Sequence, residues 1–309
     1  MTASGRSRSP PGVTEPQLRQ AYAQAKKYLR RPYVTGIGIG LARRQGQLAD
    51  MAICIFVTAK IPDDRLPSRS RLPREIAGVA VDVVVCQLRG HHKTCHAAGT
   101  ANAGPVRPGM MIGDGQRYGT VGLIARDGKS QRPLALSCAH VLPGPKGSQV
   151  YQPADASPDN RCGTRGAGLW NLDGDVALVQ LSRPADNLVD DAGFALTAPR
   201  GVILGEVLDK RGYVSGLVTG RVSHFGIKTV IYGDHAPVRI EGFYLEAIGN
   251  GRNISQAGDS GAVWHDPDTG AAIGIEVAGD PGDLDHSGNF AFAGHVVTAF
   301  SRLDLVPLA

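Results

Sequence analysis

The sequence predicts a mainly β protein in two parts, a small α+β unit over residues 14–90 and an antiparallel barrel or sandwich assembly from about residue 105. Three observations carry that prediction. The 309 residues include 41 glycines and 20 prolines, the punctuation of strands and turns more than of helices. From Gly104 onward, short apolar runs recur at roughly ten-residue intervals between Gly, Pro, Asp and Asn. Charge divides the chain in the same place. Residues 1–100 carry 16 Lys and Arg against 6 Asp and Glu, and the remainder carries 17 against 22, so two regions of opposite bias read most simply as two units.

Residues 1–13, mostly Ser, Arg, Pro and Gly, read as disordered. Thr14-Glu15-Pro16-Gln17 then reads as a helix start, with Thr14 capping, Gln17 reciprocating and Pro16 in the first turn. The helix runs to about Arg31, and Leu18, Ala21, Tyr22, Ala25 and Leu29 make one apolar stripe that needs a sheet to cover. Tyr33–Leu41, Met51–Thr58 and Val79–Leu88 supply that sheet, the last two separated by the Pro- and Arg-rich stretch 61–76. Gly36-Ile37-Gly38-Ile39-Gly40 lacks the spacing of a dinucleotide-binding loop and reads as a flat, closely packed strand.

Residues 91–104 read as a linker. His91, His92, Cys95 and His96 within it are the ligand types zinc prefers, but no second cluster closes a structural site, so neither metal nor cofactor is expected. The five cysteines, at 54, 86, 95, 138 and 162, show no disulfide-like spacing and suit a reducing compartment. With no basic-then-apolar amino-terminal segment and no run near the ~20 apolar residues of a membrane span, the expected location is cytoplasmic and no membrane contact is expected. Asn253-Ile254-Ser255 is then a chance sequon. The basic bias of residues 1–100 comes with few aromatics and no recognition motif, so nucleic acid is not an expected partner either.

In the β-rich part, Gly119–Ala125, Pro133–Ser137 and Asp175–Leu181 are the clearest strands of a first half, about 105–185. Ser182–Gly201 links it to a second half, about 199–309. There Val202–Val207, Val214–His224, Lys228–Tyr232, Val238–Ile248, Ala262–His265, Ala272–Val277 and Asn289–His295 read as strands, with Val296–Leu303 a terminal helix or turn.

Chemistry concentrates in three short motifs. In Gly258-Asp259-Ser260-Gly261 the glycine permits a tight turn that aims the amides of Gly258 and Ser260 at one point, and Ser260 is the candidate nucleophile. His140 follows an apolar strand in Ser137-Cys138-Ala139-His140. Asp175 opens another in Gly174-Asp175-Val176-Ala177-Leu178, where its carboxylate can be buried against the histidine. The order His, Asp, Ser is that of chymotrypsin and not that of subtilisins or α/β-hydrolases.

On these motifs, residues 105–309 resemble a trypsin-like, chymotrypsin-fold serine peptidase of the intracellular bacterial kind related to the plant narrow-leaf proteases. The run Lys210-Arg211-Gly212-Tyr213-Val214-Ser215-Gly216 is similar to the second-barrel opening of those proteins, and the Gly-Ile-Gly-Ile-Gly strand to their leading domain. The resemblance implies a double six-stranded β-barrel and a serine endopeptidase acting on a protein or peptide. It implies a triad of His140, Asp175 and Ser260, with Gly258 and Ser260 as oxyanion donors. Two departures stand out. Val141 takes the place of the cysteine that secreted relatives bridge after the histidine, so Cys138 is expected to be a free buried thiol. No cleavable Ile-Val-Gly-Gly precedes the domain, so control is expected from the amino-terminal unit, from a regulatory partner or from assembly into an oligomer. Alignment to the family's specificity pocket brings in Ile254, Glu276 and Gly279. Ile254 implies an apolar preference and Glu276 a basic one, and both stand. The competing reading is a binding scaffold on the same fold without activity.

Overall fold

The structure, a computed structural model, describes residues 13–44, 47–86, 88–90, 93–94, 104–233, 235–248, 253–279 and 290–308. The sequence-predicted disorder before Val13 and the cluster His91, His92, Cys95 and His96 lie outside the described residues. The chain is mainly β, in one ten-stranded and one nine-stranded sheet. No helix among the described residues is long and apolar enough to cross a membrane.

Within the ten-stranded sheet, Val207–Gly212, Val263–His265, Ala272–Gly279, Phe290–His295, His235–Ala247 and Gly216–Tyr232 follow one another. Val207–Gly212 then pairs back onto the start of Gly216–Tyr232, from Val207 opposite Arg221 to Gly212 opposite Gly216. That closure makes a barrel and leaves no free edge around the ring. Leu208, Phe243, Trp264, Ile273 and Ala293 fill part of its interior.

The sheet does not stop at the ring. Gly216–Tyr232 is 17 residues long, and its outer half pairs antiparallel with Val34–Arg44, Gly36 opposite Lys228 and Gly40 opposite His224. Gln47–Val57 adds to the far side of Val34–Arg44, and Val79–Val85 adds in parallel to Gln47–Val57. The amino-terminal unit and the second barrel therefore share one hydrogen-bonded sheet, a continuity that composition and charge did not foretell. The alternate glycines of Val34–Arg44 make the approach possible. A Cβ on Gly38 would lie 2.6 Å from the Phe225 carbonyl oxygen, and one on Gly40 would lie 2.1 Å from the His224 ring.

Met51–Val57 is apolar without alternation because both of its faces are buried. Ile53, Ile55 and Val57 join Ala21, Ala25 and Leu29 of the helical segment, whereas Cys54 and Phe56 point into the main core with Tyr244 and Phe292. Phe56 stacks on Tyr244 with ring centroids 4.1 Å apart. The helix is α over Glu15–Ala25 and tightens to a 3₁₀ turn over Lys26–Arg30, with the Thr14 and Gln17 capping box in place.

The nine-stranded sheet runs in the order Leu305–Pro307, Leu123–Asp127, Pro133–Ser137, Gly174–Leu181, Arg161–Asn171, Gln149–Tyr151, Met111–Gly113, Arg117–Thr120 and Lys93–Thr94. The run 119–125 is two strands, because Val121 and Gly122 turn away to bond Met110 and Leu136. Val214–His224 and Lys228–Tyr232 are one strand, and Val207 is the only residue of 202–207 that lies in one.

Candidate active site

His140, Asp175 and Ser260 are all buried, at 1%, 0% and 2% exposure. The end of Pro133–Ser137 and the start of Gly174–Leu181 are neighbours, Ser137 opposite Ala177, and that pairing brings the turn carrying His140 beside Asp175. His140 Nδ1 bonds Asp175 Oδ2, and the His140 backbone N–H donates to Oδ1 at 3.1 Å. This double attachment fixes the ring's position and directs Nε2 away from the carboxylate. Among the described residues Nε2 has no hydrogen-bond partner.

The Ser260 turn docks on the same elements. Thr120 N–H donates to the Ser260 carbonyl at 2.9 Å, and the Thr120 hydroxyl to the Gly258 carbonyl at 2.8 Å. The Glu276 carbonyl accepts both the Gly261 N–H at 2.9 Å and the Cys138 thiol at 3.0 Å. One carbonyl thus ties the turn after Ser260 to the residue two before His140. Gly258 has φ of +104°, and a Cβ there would lie 2.6 Å from Val214 Cγ2. Only glycine suits that backbone and that space.

Two side chains that the motifs did not single out complete the site. Tyr232 donates its hydroxyl to Asp175 Oδ2 at 2.7 Å, and its ring centroid is 4.6 Å from that of His140. Burial, and then the Asp175 charge, push the phenol's titration well above its ordinary range, so it stays a donor. Nothing local in the sequence marks Tyr232, which comes from the far end of the strand shared with the amino-terminal unit. Lys210 lies inside the second barrel, fully buried, with Nζ 3.1 Å from Asp259 Oδ2 and 3.8 Å from Glu276 Oε1. Asp259 also accepts N–H bonds from Val214, Ser215 and Gln256 at 3.0 to 3.1 Å. Burial works against its ionisation, but Lys210 and Ser215 outweigh it and hold the carboxyl below its usual range. The ion pair pins the residue next to Ser260. In the structure Leu208, Lys210 and Gly212 form the buried side of Val207–Gly212, a strand the sequence predicts at Val202–Val207, and a lysine in such a row needs an acid.

Ile254, Glu276 and Gly279 sit differently from an open specificity pocket. Ile254 is packed with Leu208 and Trp264 in the barrel core. The Glu276 carboxylate accepts Trp264 Nε1–H at 2.6 Å and faces Lys210. Ser255 lies against Gly279 so closely that a Cβ there would be 1.9 Å from its hydroxyl. In this geometry Ile254 and the Glu276 carboxylate face the barrel interior. A cavity of about 570 Å³, lined by Val57, Ile61, Leu66, Leu72 and Val83 among others, opens in the amino-terminal unit and contains none of the three motif residues.

Cys138, His140 and Asp175 lie close enough together to hold a metal ion. Their bonding suits another role, since His140 and Asp175 bind each other. Burial first, then the Asp175 and Glu276 charges, push the Cys138 thiol far up, away from the thiolate a metal takes. Cys54, Cys86, Cys138 and Cys162 are all buried free thiols.

The two sheets share the chymotrypsin-like fold of solved serine proteases. No protein-family model matches the chain, and no curated protein matches it. Among solved structures it is similar to a glutamic-acid-specific serine protease that uses a histidine triad in substrate binding, at 21% identity and TM-score 0.52 over 66% of this chain and 100% of that one. It is similar to Protease A of Thermobifida fusca at 18% identity and TM-score 0.52, and to a Nocardiopsis protease at 19% and 0.51, each over 67% of this chain and 100% of the other.

Proposed function

We propose that the chain is a serine endopeptidase that hydrolyses peptide bonds of a protein substrate through an acyl-enzyme on Ser260. The observation that carries this reading is the buried Asp175–His140 pair, whose Nε2 has no hydrogen-bond partner among the described residues and whose turn shares the Glu276 carbonyl with the Ser260 turn. Nε2 takes the Ser260 proton as Oγ bonds the substrate carbonyl carbon, and Asp175 stabilises the imidazolium that forms. The amides of Gly258 and Ser260 hold the oxyanion. The carbon–nitrogen bond then breaks, His140 returns the proton to the leaving amine, and a water molecule repeats the sequence to release the acid. Tyr232 shares the Asp175 charge and so is a positioning residue. The buried free thiols suit a reducing compartment, so the substrate is read as a cytoplasmic protein of bacterial regulation or defence.

Turnover of a mixed peptide library by the parent, Ser260→Ala and Asp175→Asn tests the assignment. Asp→Asn at such a triad costs ~10⁴ in turnover, and a loss of that order is expected for Asp175→Asn, with Ser260→Ala at background. Near-parental turnover by Asp175→Asn would remove Asp175 from the mechanism.

A further inference from the structure

The cavity of the amino-terminal unit exists because a crossover there is not a helix. Gln47–Val57 and Val79–Val85 pair in parallel, and strands joined that way need a connection that passes over one face of the sheet, most often helical. Here the connection carries Pro62, Pro67 and Pro73, each of which would break a continuing helix. Its helical pieces are the 3₁₀ turns Asp63–Arg65 and Ser68–Ser70. The space a helix would fill is left as about 570 Å³ between sheet and crossover, within the ~300–1,000 Å³ of small-molecule sites.

Its walls are apolar. Val57, Val81 and Val83 line it from the two strands, and Leu66 and Leu72 line it from the crossover. The polar groups beside Ser70 are turned on one another: Arg31 Nη1 donates to the Ser70 and Arg71 carbonyls at 3.1 and 3.0 Å, and the Tyr33 hydroxyl donates to the Ser70 carbonyl at 2.5 Å. These bonds hold the crossover in place and leave the interior suited to hydrocarbon. Ile61 also lines the cavity and is 51% exposed, so the space opens to water past a side chain that gains from being covered.

Charge in the lining has one sign. Lys60 and Arg74 belong to it, and no acid does. Lys60 is exposed, and the Arg74 carbonyl accepts Val81 N–H at 2.9 Å, which fixes the arginine's backbone beside the Val81 wall. An apolar volume bounded by two cationic residues complements a hydrocarbon chain with a negative head.

We propose that this cavity binds a single-chain amphiphile with an anionic head, such as a medium-chain carboxylate, the tail lying between sheet and crossover and the head at Lys60 and Arg74. The site is separate from Ser260 and does not rest on the peptidase reading.

Calorimetric titration of the full-length protein with decanoate, and with decanol as the neutral counterpart, tests it. The parent should bind one decanoate and bind decanol at least tenfold more weakly. Val83→Phe, which fills the cavity from the sheet, should weaken decanoate at least tenfold while melting no lower than the parent. Lys60→Glu changes only an exposed side chain, so it decides even if Val83→Phe fails to fold; it should weaken decanoate at least tenfold and leave decanol unchanged. No saturable decanoate binding by the parent, or parental affinity in Lys60→Glu or in folded Val83→Phe, would overturn the site. Decanol bound as tightly as decanoate would overturn the anionic head. Flotation with phosphatidylglycerol vesicles that Val83→Phe abolishes, without decanoate binding, would overturn the free amphiphile in favour of a membrane lipid.

Discussion

A carboxylic acid enclosed in a barrel is an expensive residue, and Glu276 shows how its cost depends on pH. Burial, with a smaller push from Asp259, raises it to about 7, against the opposing pull of Lys210, Ser255 and Trp264. An acid whose folded value exceeds its unfolded one binds more protons when folded. Its favourable contribution is therefore complete below the ordinary glutamate value of 4.5 and is lost as pH climbs through about 7. At ~1.4 kcal/mol per unit the full loss is on the order of 3 kcal/mol. Glu276→Gln should accordingly gain stability relative to the parent as pH rises from about 5 to about 8. Urea denaturation of both proteins across that range checks this, and a constant difference between them would contradict it. At this scale the sequence was most legible where short motifs place two residues side by side, as His140 and Asp175 are. It was silent where a partner arrives from a distant strand, as Tyr232 does at Asp175, and where Ser255 closes onto Gly279.

Elements with a strong local pattern were read nearly to the residue. The capping box at Thr14 is a local device, and the terminal helix Val296–Leu303 keeps the bounds read from its sequence. Gln149–Tyr151 and Arg161–Asn171 escaped notice because Gly, Arg and Thr dilute their apolar alternation, and because their strand character comes from pairing with each other and with Gly174–Leu181. Apolar content misled in the opposite sense at 202–207, where Val202 and Leu204 pack on the Trp264 cluster from an irregular segment. The glycines of Val34–Arg44 give this scale its prediction. Gly38→Val would place a branched side chain against the Phe225 carbonyl, 2.6 Å from the first added carbon, so strands 34–44 and 216–232 must part. A loss of ~3 kcal/mol or more is expected, in the range of severe overpacking. Thermal unfolding of the variant beside the parent measures it, and an unchanged midpoint would show that the two strands are not in contact there.

Across the whole molecule, the two ends of the sequence are joined through a single strand. Gly216–Tyr232 closes the second barrel with one half, carries the amino-terminal sheet on the other, and ends at Tyr232 beneath Asp175. Charge bias suggested two separate units because it records composition, whereas pairing between residues near 38 and residues near 226 leaves no mark in either local stretch. The site depends on this assembly: His140 and Asp175 come from one sheet, Tyr232 and Lys210 from the other, and Ser260 from the turn that leads into Val263–His265. The most direct measurement is to treat the folded protein with a fluorophosphonate and locate the adduct by peptide mass. The account predicts a single adduct on Ser260, strongly slowed by Asp175→Asn. A folded protein that takes no label, or takes it on another serine, would contradict it.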